Sequence, residues 1–286
     1  MLHRTIDPAQ AWALAANGRA PLAPGTVLTA ASLGGRPTQG IRPRTGGHAG
    51  TILHLHGGGY RTGSPMVSQG LASYLAAGTD MEVLLPTYRL SDEQPFPAAV
   101  ADALAVYTAL LDRGDGPERV AVLGDSSGAG LALAAVLAAR DAGLPAPAAV
   151  IGLSPWYDLT ITADSYERCH GTDTILSAAS MRDSAEQYLA GADPRHPLAS
   201  PLFASDEALA WLPPMLIHSS ADEVLADDAT RFTERIIAVG GRIQHRTWVG
   251  TDHFWHIAVP GLPAAVEAVD DVIEFLRARG QAESRG

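Results

Sequence analysis

The chain of 286 residues carries 20 basic side chains, and all of them are arginine. Without lysine there is no ε-amine, which excludes Schiff-base chemistry, a Ser-Lys dyad and a phosphate loop ending in lysine. Cysteine is almost as scarce. Cys169 stands alone, so no internal disulfide forms, and a reducing, cytoplasmic setting is expected. No apolar run approaches the roughly 20 residues that span a bilayer. Residues 1–20 lack the basic start and apolar stretch of a signal peptide. The net charge of −11 offers no basic face for nucleic acid. What remains, 47% hydrophobic and 18% charged, is an ordinary globular balance with ample material for one large core.

Short apolar segments alternate with helical ones. Thr51–His56, Glu82–Tyr88, Arg119–Gly124, Ala148–Ser154, Met215–Ser219 and Ile243–Trp248 read as strands. Met66–Ala77, Ala98–Asp112, Ala129–Asp141, Asp227–Val239 and Ala264–Arg277 read as helices, the last with Val266, Val269, Ile273 and Leu276 on one stripe. This rhythm describes a mostly parallel sheet covered on both faces, with chemistry on the loops that leave the carboxyl ends of the strands. Thr26–Leu33 is the best strand in the Gly/Pro/Ala-rich first fifty residues, placed at the sheet edge. Residues 157–212 read as a polar insertion holding one helix, Ala178–Leu189. An excursion over the carboxyl ends is a lid.

Gly124-Asp125-Ser126-Ser127-Gly128 follows a strand and opens a helix, the context that G-x-S-x-G requires, and only Ser126 fits its centre. A tight strand-to-helix turn pushes that central side chain outward. His56-Gly57-Gly58-Gly59-Tyr60 also follows a strand, and its glycines let backbone N–H groups converge on an oxyanion. His54 and His56 share a strand face, but nothing nearby completes a metal site. Downstream lie S-A-D-E-V-L-A-D-D at 220–228 and G-T-D-H-F-W-H at 250–256. Ser, then Asp, then His is the chain order of an α/β-hydrolase triad. Asp222 sits at a strand end, whereas Asp227 and Asp228 suit the first turn of a helix. His253 and His256 compete for the base.

From about Thr51 to the last helix the sequence resembles the bacterial hormone-sensitive-lipase-like esterases of the α/β-hydrolase superfamily. The resemblance rests on HGGGY at 56–60, YRLSDEQPFPAAVADA at 88–103, GDSSG at 124–128, SPWYDLT at 154–160, DEVLADD at 222–228 and GTDHFW at 250–255. It implies an α/β-hydrolase fold, a mostly parallel central sheet with helices on both faces and a small helical cap. That would be one domain over 1–286, with cap elements from about 1–25 and 157–212. Position by position, Ser126 resembles the nucleophile, Asp222 the acid and His253 the base, with Gly58, Gly59 and the Ser127 N–H as oxyanion donors. The chain departs from the family at Ser127, commonly alanine, at Arg61, commonly apolar, at Ser91, Asp92 and Gln94, and in a short segment before HGGG.

The resulting expectation is a cytoplasmic serine carboxylesterase that forms an acyl-enzyme on short or compact esters or lactones, without cofactor or metal. Its partner is a small-molecule ester or lactone rather than nucleic acid or membrane, and a homodimer is compatible with it. Arg61 would read a polar or anionic group on the substrate. The same residues would serve an acyltransferase or lactone-forming enzyme. A small-molecule receptor of the same fold lacks the base that His253 supplies here.

Overall fold

The computed structural model describes residues 13–15, 17, 20–45 and 49–283. Most of the expected 1–25 cap element lies outside them. An eight-stranded sheet runs in the order β1-β2-β4-β3-β5-β6-β7-β8. Its strands are β1 (Thr26–Leu33), β2 (Arg36–Pro43), β3 (Thr51–Leu55), β4 (Glu82–Pro86), β5 (Val120–Asp125), β6 (Ala149–Leu153), β7 (Met215–Ser220) and β8 (Ile243–Trp248). β1 pairs with β2 and β2 with β4 antiparallel, and every other pair is parallel.

β1 is the edge strand that its sequence suggested. β2 was not foreseen, because Pro37, Gly40 and Pro43 make R-P-T-Q-G-I-R-P a poor strand on propensity. It forms as the return arm of a hairpin. Gly34 and Gly35, both at positive φ (56° and 75°), supply the two-residue turn that matches the twist of the strands.

The central strands are buried on both faces. Along β5, Val120 and Val122 enter one hydrophobic cluster while Ala121 and Leu123 enter the other. That period of two separates the helices into two layers. α1 (Gln69–Thr79) and α8 (Pro263–Glu283) lie on one side. α2 (Ala98–Asp112), α3 (Ser127–Asp141) and α7 (Ala226–Ala238) lie on the other. The insertion between β6 and β7 adds α4 (Ser165–Arg168), α5 (Ala178–Leu189) and α6 (Asp206–Trp211) to that second layer. α5 has the expected bounds, and a Ser177/Ser180 capping box starts it.

α3 is the central helix, buried from Ser127 through Ala139. It begins two residues earlier than the apolar pattern suggested, directly after Ser126. Its approach to the sheet is close. A Cβ on Gly128 would collide with the Leu55 carbonyl oxygen and stand 2.5 Å from that of His56. These contacts are with backbone, which cannot swing aside. Gly128→Ala is therefore expected to destabilise the fold by about 1–3 kcal/mol or more, the range for overpacking. An unchanged urea midpoint would show slack at this crossing.

Candidate active site

Ser126 leaves β5 at φ 54° and ψ −124°, a conformation that costs a non-glycine residue roughly 1–3 kcal/mol. Its backbone is held on both sides: Ser126 N–H donates to Leu153 (2.9 Å), and its carbonyl accepts from Ala129 and Trp156 (3.1 Å each). Tyr60, Ser154 and Phe254 also adopt positive φ (61°, 47° and 52°). All four residues lie beyond the carboxyl ends of parallel strands, so the strain gathers at one end of the sheet.

The glycine run after β3 packs against this turn. Asp125, buried next to Ser126, accepts from the Gly57 N–H (2.8 Å) through Oδ2 and binds His54 Nε2 (2.9 Å) through Oδ1. His54 is thus tied to a carboxylate, and among the described residues no cluster of metal-ligating groups occurs. The Gly58 and Gly59 N–H groups meet no acceptor among the described residues, and Ser127 opens α3, where first-turn N–H groups lack helical partners. The residues expected to hold an oxyanion therefore present unused donors beside the serine. His56 stacks on Tyr88 (4.4 Å between centroids), and burial lowers its pKa.

His253 and Ser126 line the same cavity, of about 410 Å³. His253 is buried, and its Nδ1 lies 2.6 Å from Oε2 of Glu223, not from Asp222. Donating the Nδ1 proton to that carboxylate leaves Nε2 free to accept a proton. The expectation for Asp222 is corrected here. Asp222 is half-buried, and its Oδ2 accepts from Gly250 N–H (2.6 Å), pinning the foot of the histidine loop. Glu223, one residue on, is fully buried and turns back under the loop, where Oε1 accepts from Ser220 N–H (2.7 Å). The sequence did hold a signal: two adjacent carboxylates after β7, of which only the aspartate was weighed.

Asp227 and Asp228 lie apart from His253 and moor the insertion. Asp227 accepts from Ser165 N–H (2.9 Å) and pairs with Arg168 (2.6 Å), whose guanidinium lowers its pKa. Asp228 accepts from Tyr157 and Asp158 N–H groups (3.0 and 2.9 Å), and burial pushes its carboxyl well above the usual range. A third mooring is Asp173, which accepts from Val224 N–H (2.9 Å) beside Glu223. So anchored, the insertion brings Ile175, Leu176, Ser180, Met181 and Ser184 onto the cavity wall.

Arg61 does not line that cavity. Tyr60 buries its ring on Tyr188 (3.7 Å between centroids), and the following residue is turned outward and exposed. The expectation that Arg61 reads the substrate is corrected accordingly.

The sequence from residue 52 to 257 matches the family model described as alpha/beta hydrolase fold. The chain belongs to this family. Within it, it is an ester hydrolase of the bacterial hormone-sensitive-lipase type. It is 42% identical to an acetyl-hydrolase of Streptomyces hygroscopicus over 91% of this chain and 85% of the relative. To the putative acetyl-hydrolase LipR of Mycobacterium tuberculosis it is 35% identical over 96% and 88%. The crystal structure of an esterase from the bacterial hormone-sensitive lipase family superposes with a TM-score of 0.88 at 35% identity, covering 96% of this chain and 92% of that one. No helix among the described residues is long and apolar enough to cross a membrane.

Behind the histidine loop of this hydrolase lies a second buried histidine pair. His256, the rival base, places Nε2 3.2 Å from His218 Nδ1, and His218 Nε2 lies 2.9 Å from Asp271, which also pairs with Arg246 (2.8 Å). Burial lowers the pKa of both histidines, that of His256 strongly. Each stays neutral in the fold below about pH 6.5, where the unfolded chain takes up protons. The unfolded state then binds more protons, so stability is full above pH 6.5 and declines as the pH falls, by up to about 1.4 kcal/mol per unit for each histidine. Urea midpoints should drop between pH 7.5 and 5.5 and drop less in His256→Gln. A flat profile in the parent protein would show that these histidines ionise alike folded and unfolded.

Proposed function

We propose that this esterase works through a Ser126–His253–Glu223 triad and an acyl-enzyme on short, compact, uncharged esters. The observation that carries this reading is the 2.6 Å contact of buried His253 with buried Glu223, on a cavity shared with the strained Ser126. Ser126 Oγ attacks the ester carbonyl while His253 Nε2 takes its proton, and Glu223 stabilises the imidazolium that results. The carbonyl oxygen becomes an oxyanion facing the Gly58, Gly59 and Ser127 N–H groups. Donors of this kind are worth roughly 3–4 kcal/mol each where measured. His253 then gives its proton to the leaving alkoxide, and water enters by the same route to release the acid.

Cavity size and lining support the substrate class. At about 410 Å³ the cavity is near the lower end for small-molecule sites. Val67, Ile175, Leu176, Met181 and Phe254 make much of its wall apolar, and no arginine among the described residues lines it. Asp125, the one carboxylate that lines it among the described residues, is already committed to His54 and Gly57. The two acetyl-hydrolase relatives agree with a short acyl group.

Two measurements test this reading. With nitrophenyl acetate, Ser126→Ala should lower kcat by about 10⁶ and Glu223→Gln by about 10⁴, the scales seen when serine-protease counterparts are removed. Asp222→Asn should stay within tenfold, because the amide oxygen can still accept from Gly250 N–H. Full activity in Glu223→Gln, with collapse in Asp222→Asn, would return the acid to Asp222. Across a series of acyl lengths, each methylene the cavity accepts should raise kcat/KM about fourfold, from roughly 0.8 kcal/mol of burial. The rise should stop by about six carbons, and a continued rise past ten would refute a compact acyl site.

A further inference from the structure

The residues on either side of Ser126 both reach the glycine loop. Asp125 Oδ2 takes the Gly57 N–H at 2.8 Å, and Ser127 Oγ takes the Tyr60 N–H at 3.3 Å. Between these two tethers lie Gly58 and Gly59, whose N–H groups remain unused among the described residues. The Ser127 side chain is fully buried, so its hydroxyl is not spent on solvent. It lies beside the phenol of Tyr88, whose O–H donates to the His56 carbonyl (2.6 Å) at the start of the same loop. Tyr60 is buried too, with its ring fixed against Tyr188.

We propose that the Ser127 hydroxyl is a positioning group for the oxyanion donors, closing the far end of a loop whose near end Asp125 holds. The inference rests on the triad reading above and deepens it at a position where the resembled family commonly has alanine. A single residue then acts twice: its N–H faces the oxyanion, and its Oγ sets where the other two donors stand. Removing Oγ leaves the Tyr60 N–H buried without an acceptor, a state proteins relieve by moving the backbone. Donors must lie 2.7–3.1 Å from the oxygen in the charged state, so a small displacement weakens that state more than it weakens substrate binding.

The test is Ser127→Ala, which removes one oxygen and adds no bulk. Labelling with a fluorophosphonate comes first. If Ser126 is unlabelled in the parent protein, the triad reading fails, and that result is separate from the outcomes below. With labelling intact, kcat for nitrophenyl acetate should fall roughly five- to twentyfold, the effect of leaving one buried N–H unpaired, while KM stays within twofold. A trifluoromethyl ketone reports the oxyanion directly. Ser126 Oγ adds to its carbonyl carbon, the Oγ proton passes to His253, and the former carbonyl oxygen carries the charge. Its affinity should fall in step with kcat, and the Tyr60 amide should exchange its hydrogen faster while amides within α3 do not. Values of kcat and ketone affinity within twofold of the parent, or a change confined to KM, would overturn the proposal.

Discussion

The site depends on how closely backbone approaches backbone where β5 becomes α3. A Cβ on Gly124 would run into the main chain of Gly128, and one on Gly128 into that of Leu55 and His56, rather than into a movable side chain. That approach forces Ser126 into its positive-φ conformation and seats the first turn of α3 against the end of β3. The loop that leaves β3 then has nowhere to lie except along the turn, where a Cβ on Gly57 would stand 2.5 Å from Asp125 Oδ2. The Ser126 turn and the glycine loop beside it are thus set by one steric constraint. The polar contacts refine a position that the glycines have already imposed.

His253 is set by a different device. Ser154, at the end of β6, donates its N–H to the His218 carbonyl (2.7 Å) and accepts from the Phe254 N–H (3.0 Å) through Oγ. Ser220 Oγ donates to the Thr251 carbonyl (2.6 Å), and Asp222 holds Gly250. Residues 250–254 are therefore sewn to β6 and β7 before His253 meets Glu223. β8 alone would be a poor support, since it is the outer strand of the sheet and only half covered.

The sheet order around the site, the serine turn and the loop that brings His253 to the same cavity were all legible in the residues, because each depends on local pattern. Apolar runs of strand length, glycines flanking a serine and a Gly-x-x-His loop are visible without any tertiary knowledge. β2 escaped because its propensity is poor and it forms only as the partner of β1 and β4. The His253–Glu223 contact is hidden for a sharper reason. Asp222 and Glu223 are neighbours of one charge, and what separates them is the direction each leaves the loop. That direction is fixed by Ser220, three positions before Glu223, and by the loop at Gly250, 28 positions beyond Asp222. Arg61 was misjudged on similar grounds, since the outward turn at Tyr60 is a backbone event that its residue type does not announce.

The moorings of the insertion bear on how the enzyme selects among substrates. Asp227, Asp228 and Asp173 tie residues 157–176 to α7 and to the loop that carries Glu223. A wall fastened beside Glu223 cannot swing open as a lid without disturbing the Glu223–His253 contact. The cavity is accordingly preformed, and binding pays little for ordering it. On the proposed reading, discrimination works by exclusion: a fixed outline refuses a bulky acyl group, and no closing motion is needed to reward a small one.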